Sequence, residues 1–209
     1  MAVIHVGATD ASISRFHKVS IHQNISANTS VTVHAFQGEE GTLNETANWT
    51  SPFEGESVGE KFSKTGGLIQ ELTGGTSKTK LLSAQVWDGN QPFAFDLSLR
   101  FFAIQGNADK EVMQPLKWLS KFMAPEMNED FPIEFNNDND LSPDLGRAPS
   151  DVSLNIAGKI IYRNCKIETK SMNVFGKRDA NGNFGRAEVN LSIHSSSTIN
   201  RSEIDSIFL

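Results

Sequence analysis

The sequence predicts a mainly β protein of the α+β class, built from an antiparallel sheet with one helix at its flank. Three observations predict this class. Strand-like segments follow one another along the chain instead of alternating with helices. One central segment has the two-residue period of a half-buried strand, and the next has the period of a helix. With 209 residues, the chain is long enough for one domain with a sizeable core, or for one domain plus a long arm.

The clearest strand is predicted over residues 92–104, where large apolar residues alternate with small or polar ones. Its apolar face consists of Phe93, Phe95, Leu97, Leu99 and Phe101. Residues 81–87 predict a preceding strand, which turns at residues 88–90 because Asp-Gly-Asn is turn chemistry. We therefore expect a hairpin here, with Trp87 in the core beside the three phenylalanines.

One helix is predicted over about residues 113–123, directly after this strand. Apolar side chains recur with the helical period at Val112, Leu116, Leu119 and Met123. Pro115 is placed in the first turn because proline lacks the backbone N–H that a helix interior needs. Asp109 opens a loose lead-in, and Pro125 ends the helix.

The other strands are predicted mostly after the helix. Strand patterns occur at residues 30–37, 152–156, 160–174 and 187–194. In the last of these, one face is formed by Ala187, Val189, Leu191 and Ile193. The turn at residues 179–183 joins it to the preceding strand as a hairpin. Residues 126–150 hold an Asn/Asp run and, together with the preceding Pro125, four prolines, which predict a surface loop. These segments together predict an antiparallel sheet of at least five strands.

Residues 1–80 are predicted to be an N-terminal arm and loop-rich segment that precedes a β domain at residues 81–209. Residues 1–30 are polar and weakly patterned, although Val19 and Ile21 fit the start of a strand. The stretch up to residue 80 contains glycine clusters and no sustained period. Structureless connections of this length are uncommon inside compact domains, so we expect an arm or insertion that packs on a neighbour or folds only there.

Trp49, Pro52 and Phe53 form an aromatic-proline cluster in this arm. They lie outside the predicted strands and helix, where no local core is evident. Docking onto another subunit and folding back onto the same chain are equally open for the two aromatic residues. The three residues are the candidate intersubunit contact that the sequence offers.

No catalytic, cofactor-binding or metal-binding residues are predicted. The five histidines lack a metal-ligand spacing, and we interpret them as surface side chains. Cys165 is the single cysteine and lies in a predicted strand, so we expect a buried small apolar side chain rather than a nucleophile. The protein is therefore not expected to be an enzyme.

Charge and hydropathy disfavour two further classes of partner. The formal net charge of −6 is spread without a basic stripe, which disfavours a grip on nucleic acid phosphates. No apolar run approaches the ~20 residues that span a bilayer, and the first residues lack the features of a signal peptide. No membrane insertion is expected, and the cytoplasm is the default location.

The combination of these segments resembles a known family. The relevant stretches are WTSPFE in the arm, VWDGNQPFAFDLSLRFFA, the helix PLKWLSKFMAP, APSDVSLNIAGKIIYRNCKIETKSMNVF after the acidic loop, and AEVNLSI after the charged turn. Over roughly residues 45–200, the chain resembles the tube-like baseplate proteins of contractile phage tails and related injection machines. These proteins are the tube initiators that seat the tail tube on the central hub.

The resemblance implies a fold and an assembly. Members share with the tail tube protein a β-sandwich or barrel-like sheet with a flanking helix, and six copies pair their sheets around a channel. It therefore implies a hexameric, ring-forming structural subunit that connects the baseplate hub to the tail tube. The implied partners are tail tube, hub and baseplate proteins, with DNA only as passing cargo and no cofactor. The implied location is the virion, after assembly in the host cytoplasm.

Two alternatives to this function remain open. One is another tail-associated adaptor in the same particle, either on the sheath side or as a tail-end cap. A stoichiometry other than six around the channel would favour it. The other is a binding module or enzyme unrelated to phage, which a ligand or metal carried through purification would favour.

Overall fold

The protein is mainly β, and the α+β class predicted from the sequence is confirmed. The computed structural model describes residues 2–26, 28–50, 85–127, 133–135, 143–145, 147–173 and 177–209. The strands of these parts are β1 (Ala2–Gly7), β2 (Lys18–Ser26), β3 (Thr29–Asn44), β4 (Ala47–Thr50), β5 (Val86–Asn90), β6 (Ala94–Phe102), β7 (Ile133–Phe135), β8 (Pro143–Leu145), β9 (Val152–Ile156), β10 (Ile160–Asn173) and β11 (Arg186–Ser195). The helices are α1 (Gln114–Met123), which follows a π-helical turn at Asp109–Met113, and α2 (Ile204–Ile207), with 3-10 turns at Arg15–His17 and Arg201–Glu203.

The chain divides into two compact units. One comprises Met1–Asn44 and Pro92–Leu209, and it contains the large sheet and α1. The other, Glu45–Gln91, contains the two-stranded sheet of β4 and β5. The predicted division at residue 80 is therefore wrong for residues 2–44, because they contribute three strands to the large sheet. The separate segment begins only at Glu45.

The large sheet closes on itself. Its seven strands follow the order β1-β3-β2-β9-β10-β11-β6, and β6 pairs with β3 as well. Strand β3 is long enough to pair twice, because residues 29–36 lie beside β2 and residues 36–44 lie beside β6. Six strands thus form a closed barrel, and β1 is an extra strand on β3. Closure removes most of the strand edges that an open sheet would expose.

Strand β1 runs parallel to β3, whereas the other ladders of the described chain are antiparallel. The predicted purely antiparallel sheet is therefore corrected to a mixed one. The sequence did not reveal β1 because its first four residues are all exposed and show no alternation. It revealed β2 only in part, because the inward position of Gln23 is polar. Burial of this side chain is compensated by its amide, which donates to the backbone oxygen of Ser150 at 2.6 Å.

The barrel interior is filled by apolar side chains from alternate strand positions. The predicted inward faces of β6 and β11 are buried, including Phe95, Phe101, Val189 and Ile193. The buried ring of Tyr162 meets Phe95 edge-on, with 4.6 Å between the ring centroids. Such edge-to-face pairs add stabilisation beyond the area that they bury. The period-two pattern therefore identified the core of these two strands correctly.

Helix α1 packs its apolar stripe into the same core. Its buried residues are Pro115, Leu116, Leu119 and Phe122. Pro115 occupies the first turn and Ala124 follows the last, which confirms the predicted position of the helix. Neither this helix nor any other in the described ranges is long and apolar enough to cross a membrane.

Two polar contacts fix the helix in place. The ammonium of Lys170, on β10, donates to the backbone oxygen of Leu116 and to the hydroxyl of Ser120. Burial lowers the pKa of Lys170 below its usual value. At the other end, both carboxylate oxygens of the buried Glu111 accept the backbone N–H of Gln105. These bonds attach the helix to β10 and to the loop that follows β6.

Strand β5 does not form the predicted hairpin with β6. It runs through the predicted turn and pairs with β4, while β6 pairs with β11 and β3. Gly89 has a φ of 118°, which places the glycine at an irregular strand position rather than in a reversal of the chain. Most of the strand predicted at 81–87 lies outside the described residues, which resume at residue 85.

The segment predicted as a surface loop over residues 126–150 includes a short ribbon. Strands β7 and β8 pair antiparallel, and Glu126 and Arg147 exchange both backbone hydrogen bonds. The Asn/Asp run at residues 136–140 lies outside the described residues. The predicted hairpin of β10 and β11 is confirmed, with Arg178 and Phe184 bridging its turn.

The turn between β9 and β10 holds a non-glycine residue in the left-handed region. Ala157 has a φ of 54° and Gly158 a φ of 65°, and Lys159 N–H donates to the Ile156 backbone oxygen at 3.0 Å. Two successive left-handed residues closed by this bond form a type I′ turn, for which Asn-Gly is the favoured pair. Alanine at the first position carries a steric cost that asparagine largely avoids.

Ala157→Asn is expected to stabilise the protein by about 1 kcal/mol, because asparagine tolerates the left-handed region better than alanine. Thermal unfolding followed by circular dichroism would show this as a rise in Tm. Ala124→Asn is the matched control, since Ala124 has an ordinary φ of −80°. An equal gain in both variants would contradict the explanation by turn geometry.

Candidate assembly surface

The Glu45–Gln91 unit presents two tryptophans on one face. In the antiparallel ribbon of β4 and β5, Trp49 lies opposite Trp87. Residues opposite each other in such a ribbon project from the same face, with Cβ atoms about 5 Å apart. Each tryptophan exposes 57% of its surface, and Val86 is also exposed. We call this surface, formed by Trp49 and Trp87 on β4 and β5, the tryptophan ribbon.

Local contacts within the ribbon orient the indole rings of the two tryptophans. The ladder shifts register between Asn48 and Trp49, as at a β-bulge, and such irregularities redirect the side chains that follow. The indole N–H of Trp87 donates to the side-chain oxygen of Asn90 at 3.0 Å. With its polar atom bonded within β5, the Trp87 ring offers mainly its apolar surface to solvent.

The structure describes one of the three predicted contact residues. Trp49 is exposed, as a contact residue must be, while Pro52 and Phe53 lie outside the described residues. Trp87 was predicted to lie in the core, and this prediction is wrong. The alternation of β6 cannot be extended back to Trp87, because the residues around Pro92 belong to neither strand. That proline was the signal in the sequence that the pattern is interrupted.

Strand β1 is a second exposed apolar element. It pairs with β3 on one edge, and no other strand of the described chain pairs with its outer edge. Val3 and Ile4 are both exposed on it, and β1 carries no lysine, proline or acidic residue to block pairing with another chain. A strand of this kind is able to pair with a strand from a neighbouring molecule.

The closing seam of the barrel carries an exposed network of charges. Arg100 of β6 donates from Nε to Glu188 of β11 at 3.0 Å, and from a terminal nitrogen to Glu39 of β3 at 3.2 Å. These hydrogen bonds, the one to Glu188 foremost, raise the pKa of the Arg100 guanidinium. Exposed ion pairs add little stability, so the network mainly favours one alignment of the three strands.

The prediction that the five histidines are surface residues holds for His5 and His17, whereas His22, His34 and His194 are half-buried. His34 makes the closest contacts to another histidine. Its Nε2 lies 3.0 Å from Nδ1 of His5, and its Nδ1 lies 2.8 Å from the hydroxyl of Ser20. Burial, reinforced by the charges of His5 and Lys18, lowers the pKa of His34 to about 4. The His34 imidazole is therefore neutral at pH 7.

Cys165 is fully buried, as predicted, and burial raises the pKa of its thiol to about 12. The side chain is therefore a protonated part of the core at neutral pH. Within the described ranges, no group of three or more His, Cys, Asp or Glu residues is arranged to hold a metal ion.

Comparison of the whole sequence with protein-family models and with curated proteins finds no significant match to either.

Proposed function

We propose that the protein is a structural subunit of a contractile phage tail, a ring-forming tube initiator that connects the baseplate hub to the tail tube. The observation that carries the proposal is the exposed tryptophan pair of the ribbon, in a segment that the resemblance covers. The proposed partners are further copies of the chain, in a hexamer, and tail tube, hub and baseplate proteins. DNA is passing cargo, and the proposed location is the virion.

The architecture supports this proposal at the level of the fold class. The resemblance implies a sandwich or barrel-like sheet with a flanking helix, and the chain forms a closed barrel with α1 packed into its core. The stretch VWDGNQPFAFDLSLRFFA forms β5 and β6, and PLKWLSKFMAP contains all of α1 except its first residue. Many unrelated proteins share barrels with a helix, so this agreement supports the proposal without identifying the function.

The exposed tryptophans support a role in association. Tryptophan is among the residues that contribute most to protein–protein binding, and it loses little side-chain freedom on burial. Covering the exposed parts of Trp49 and Trp87 would yield on the order of 5 kcal/mol before the costs of association are subtracted. A monomeric protein would gain no stability from exposing these two tryptophan rings to water, whereas a subunit gains binding energy by covering them.

The outer edge of β1 supplies a second element that a ring requires. In a ring, each subunit meets its neighbours through two different surfaces, and repetition of the same contact closes the circle. The tryptophan ribbon and the β1 edge are two such different surfaces. In the proposed assembly, both are covered by neighbouring subunits or by the tail proteins above and below the ring.

Size and shape of the purified protein test the proposal. Light scattering and negative-stain images at increasing concentration are expected to show rings of six subunits around a central hole. Purified hub and tail tube proteins would then be added, and the ring is expected to join the two. A stable assembly with another stoichiometry around the channel, or no assembly with either partner, would favour the tail-associated adaptor or an unrelated module instead.

Trp49→Ala with Trp87→Ala is expected to weaken assembly at least a hundredfold, because contact tryptophans typically contribute 2 kcal/mol or more each. Sedimentation velocity over a concentration series measures the loss. The barrel should keep its circular dichroism spectrum and its unfolding midpoint, since neither ring belongs to the core cluster. Phe16→Ala is the control, because Phe16 is also exposed but lies outside the ribbon. Equal assembly in the double variant and the wild type would exclude the ribbon from the contact.

A further inference from the structure

A cavity of about 570 Å³ lies beside the barrel, where β1, β2 and the turn between β9 and β10 meet. Its lining includes His5, Thr9, Arg15, Lys18, Ser20 and His34. Its volume falls within the range of pockets that hold small molecules. Neither the tryptophan ribbon nor the outer edge of β1 depends on this cavity, so it requires a separate explanation.

The lining of the cavity has an unusual charge for this protein. The chain as a whole has a net charge of −6, yet the lining includes Arg15 and Lys18 and no aspartate or glutamate. Neither cation forms an ion pair in the part of the chain that the structure describes. The lining therefore carries two cationic side chains and no acidic one. Outside the lining, hydrogen bonds from Ser12 and, to a smaller extent, the charge of Lys18 lower the pKa of the Asp10 carboxyl, so Asp10 offsets part of this positive charge.

The two cations are positioned by contacts that leave hydrogen-bond donors available. Lys18 uses one donor for the backbone oxygen of Asp10 at 2.6 Å, and an ammonium has three donors in all. The Arg15 side chain lies along Gly158, where an added Cβ would come within 3.4 Å of its Cδ. Arginine offers five donors in a planar fork that matches phosphate and carboxylate oxygens.

Neutral polar groups complete the site. The chain of contacts from His5 through His34 to the hydroxyl of Ser20 lines one wall, and the hydroxyl of Thr9 belongs to the same lining. Guanidinium, ammonium, imidazole and hydroxyl groups together are the donors that proteins use to hold phosphate. The apolar Ile13 and Ile161 are suited to contact with an attached organic group.

We propose that this cavity binds a small molecule that carries a phosphate group, with Arg15 and Lys18 as the charged ligands of the phosphate. Both nitrogens of His34 are engaged by His5 and Ser20, so a hydrogen bond to the ligand comes from an end of this chain of contacts, the hydroxyl of Ser20 or Nε2 of His5. The apolar lining accommodates the remainder of the ligand. The site is independent of the proposed role in a phage tail. It serves equally in a ring subunit or in a protein that acts alone.

Isothermal titration calorimetry of the full chain tests the proposal with two probes, inorganic phosphate and adenosine monophosphate. We expect saturable binding of adenosine monophosphate, with Arg15→Gln and Lys18→Gln each weakening it about tenfold, as expected for a charge-assisted hydrogen bond. Binding of inorganic phosphate as tightly as the monoester would identify the free anion as the ligand. The proposal would be overturned if neither probe shows saturable binding at concentrations up to about 10 mM, because a dissociation constant weaker than that corresponds to only a few kcal/mol.

Lys166→Gln is the matched control, because Lys166 is an exposed lysine on β10 outside the cavity. If it weakens binding as much as Arg15→Gln does, the probes bind the surface by charge alone and the proposal fails. A second readout locates the site. The imidazole NMR signals of His5 and His34 should shift on addition of the probe, while those of His194, on β11, should not. Circular dichroism of each variant confirms that the barrel remains folded.

Discussion

Gly7→Ala is expected to destabilise the protein by about 2–5 kcal/mol, the sum of left-handed backbone strain and overpacking. Gly7 ends β1 with a φ of 89°. A Cβ built on it would lie 2.1 Å from the backbone oxygen of His34 and 3.3 Å from Cγ of Pro115. The first contact involves the main chain of β3, which cannot move aside as a flexible side chain would. The end of β1 must therefore separate from β3.

Gly106→Ala distinguishes the two components of this cost. Gly106 also has a positive φ, of 80°, but an added Cβ there meets no atom within 4 Å. We expect Gly106→Ala to cost about 1 kcal/mol through backbone strain alone. Urea unfolding followed by circular dichroism gives both values. Equal losses in the two variants would show that the close approach to His34 contributes nothing.

Gly7 affects β1, which contributes to both the proposed assembly edge and the proposed phosphate site. The backbone oxygen that its Cβ would strike accepts the N–H of Ala8 at 2.9 Å, so the clash disrupts the end of the β1–β3 ladder. The same ladder carries the exposed edge of β1 and holds His5 against His34. A variant with displaced β1 should therefore lose phosphate binding together with assembly, whereas the double tryptophan variant should lose assembly alone.

The sequence predicted those elements in which one face is clearly apolar. Strands β6 and β11 and helix α1 were found because burial of one face imposes a period on the residues, and that period survives in the sequence. Cys165 was assigned correctly on other grounds, as a small apolar side chain in a predicted strand. In β6, β11 and α1, burial of one face against the core explains both the sequence period and the low exposure of the apolar side chains.

The sequence did not predict the strands whose existence or length depends on pairing with segments far away along the chain. Strand β1 is a strand because β3 offers it a parallel edge, and its exposed first half has no period to detect. The closure of the barrel depends on the length of β3. Its last part, residues 38–44, is mostly polar, contains glycine and was left outside the predicted strand. Pairing between segments far apart in sequence is not encoded in a short window of residues.

The candidate contact surface was predicted in part. Trp49 was selected because the sequence around it has no local core, and the ribbon shows it exposed. Its cross-strand neighbour Trp87 was misassigned because it shares the odd-numbered register of the β6 core residues. Trp87 is exposed because β5 pairs with β4 and not with β6, and the sequence alone does not show which strands pair.

In the proposed assembly, the barrel provides the stability of the subunit and the ribbon provides its contact surface. The closed barrel derives its stability from its own core. In this core, buried side chains of the strands and of α1 form one apolar cluster. The ribbon contributes none of its tryptophan surface to that core. If the proposal is right, we expect the chain to fold before it assembles and the ribbon tryptophans to be replaceable without unfolding the barrel. The contrast between core and ribbon substitutions is therefore the decisive comparison.

Phe95→Ala is expected to cost about 3–5 kcal/mol of unfolding free energy, the usual loss for a buried phenylalanine. Phe95 is 1% exposed near the start of β6, and its ring lies against Tyr162. In a chain of this size, such a loss lowers Tm by about 10 °C. Differential scanning calorimetry measures the change. Phe95→Leu keeps most of the volume and should cost less than about 1.5 kcal/mol.

Phe16→Ala provides the exposed counterpart, because Phe16 exposes 51% of its surface beside Arg15. Its substitution should change the unfolding free energy by no more than about 0.5 kcal/mol. If Phe95→Ala is as mild as Phe16→Ala, the barrel interior is not the source of stability and the core has been assigned wrongly. If the expected contrast is observed, the barrel interior is the source of stability, and an unchanged unfolding midpoint in the double tryptophan variant shows that the folded barrel does not depend on the ribbon. Any loss of assembly in the double tryptophan variant then reports on contact between subunits.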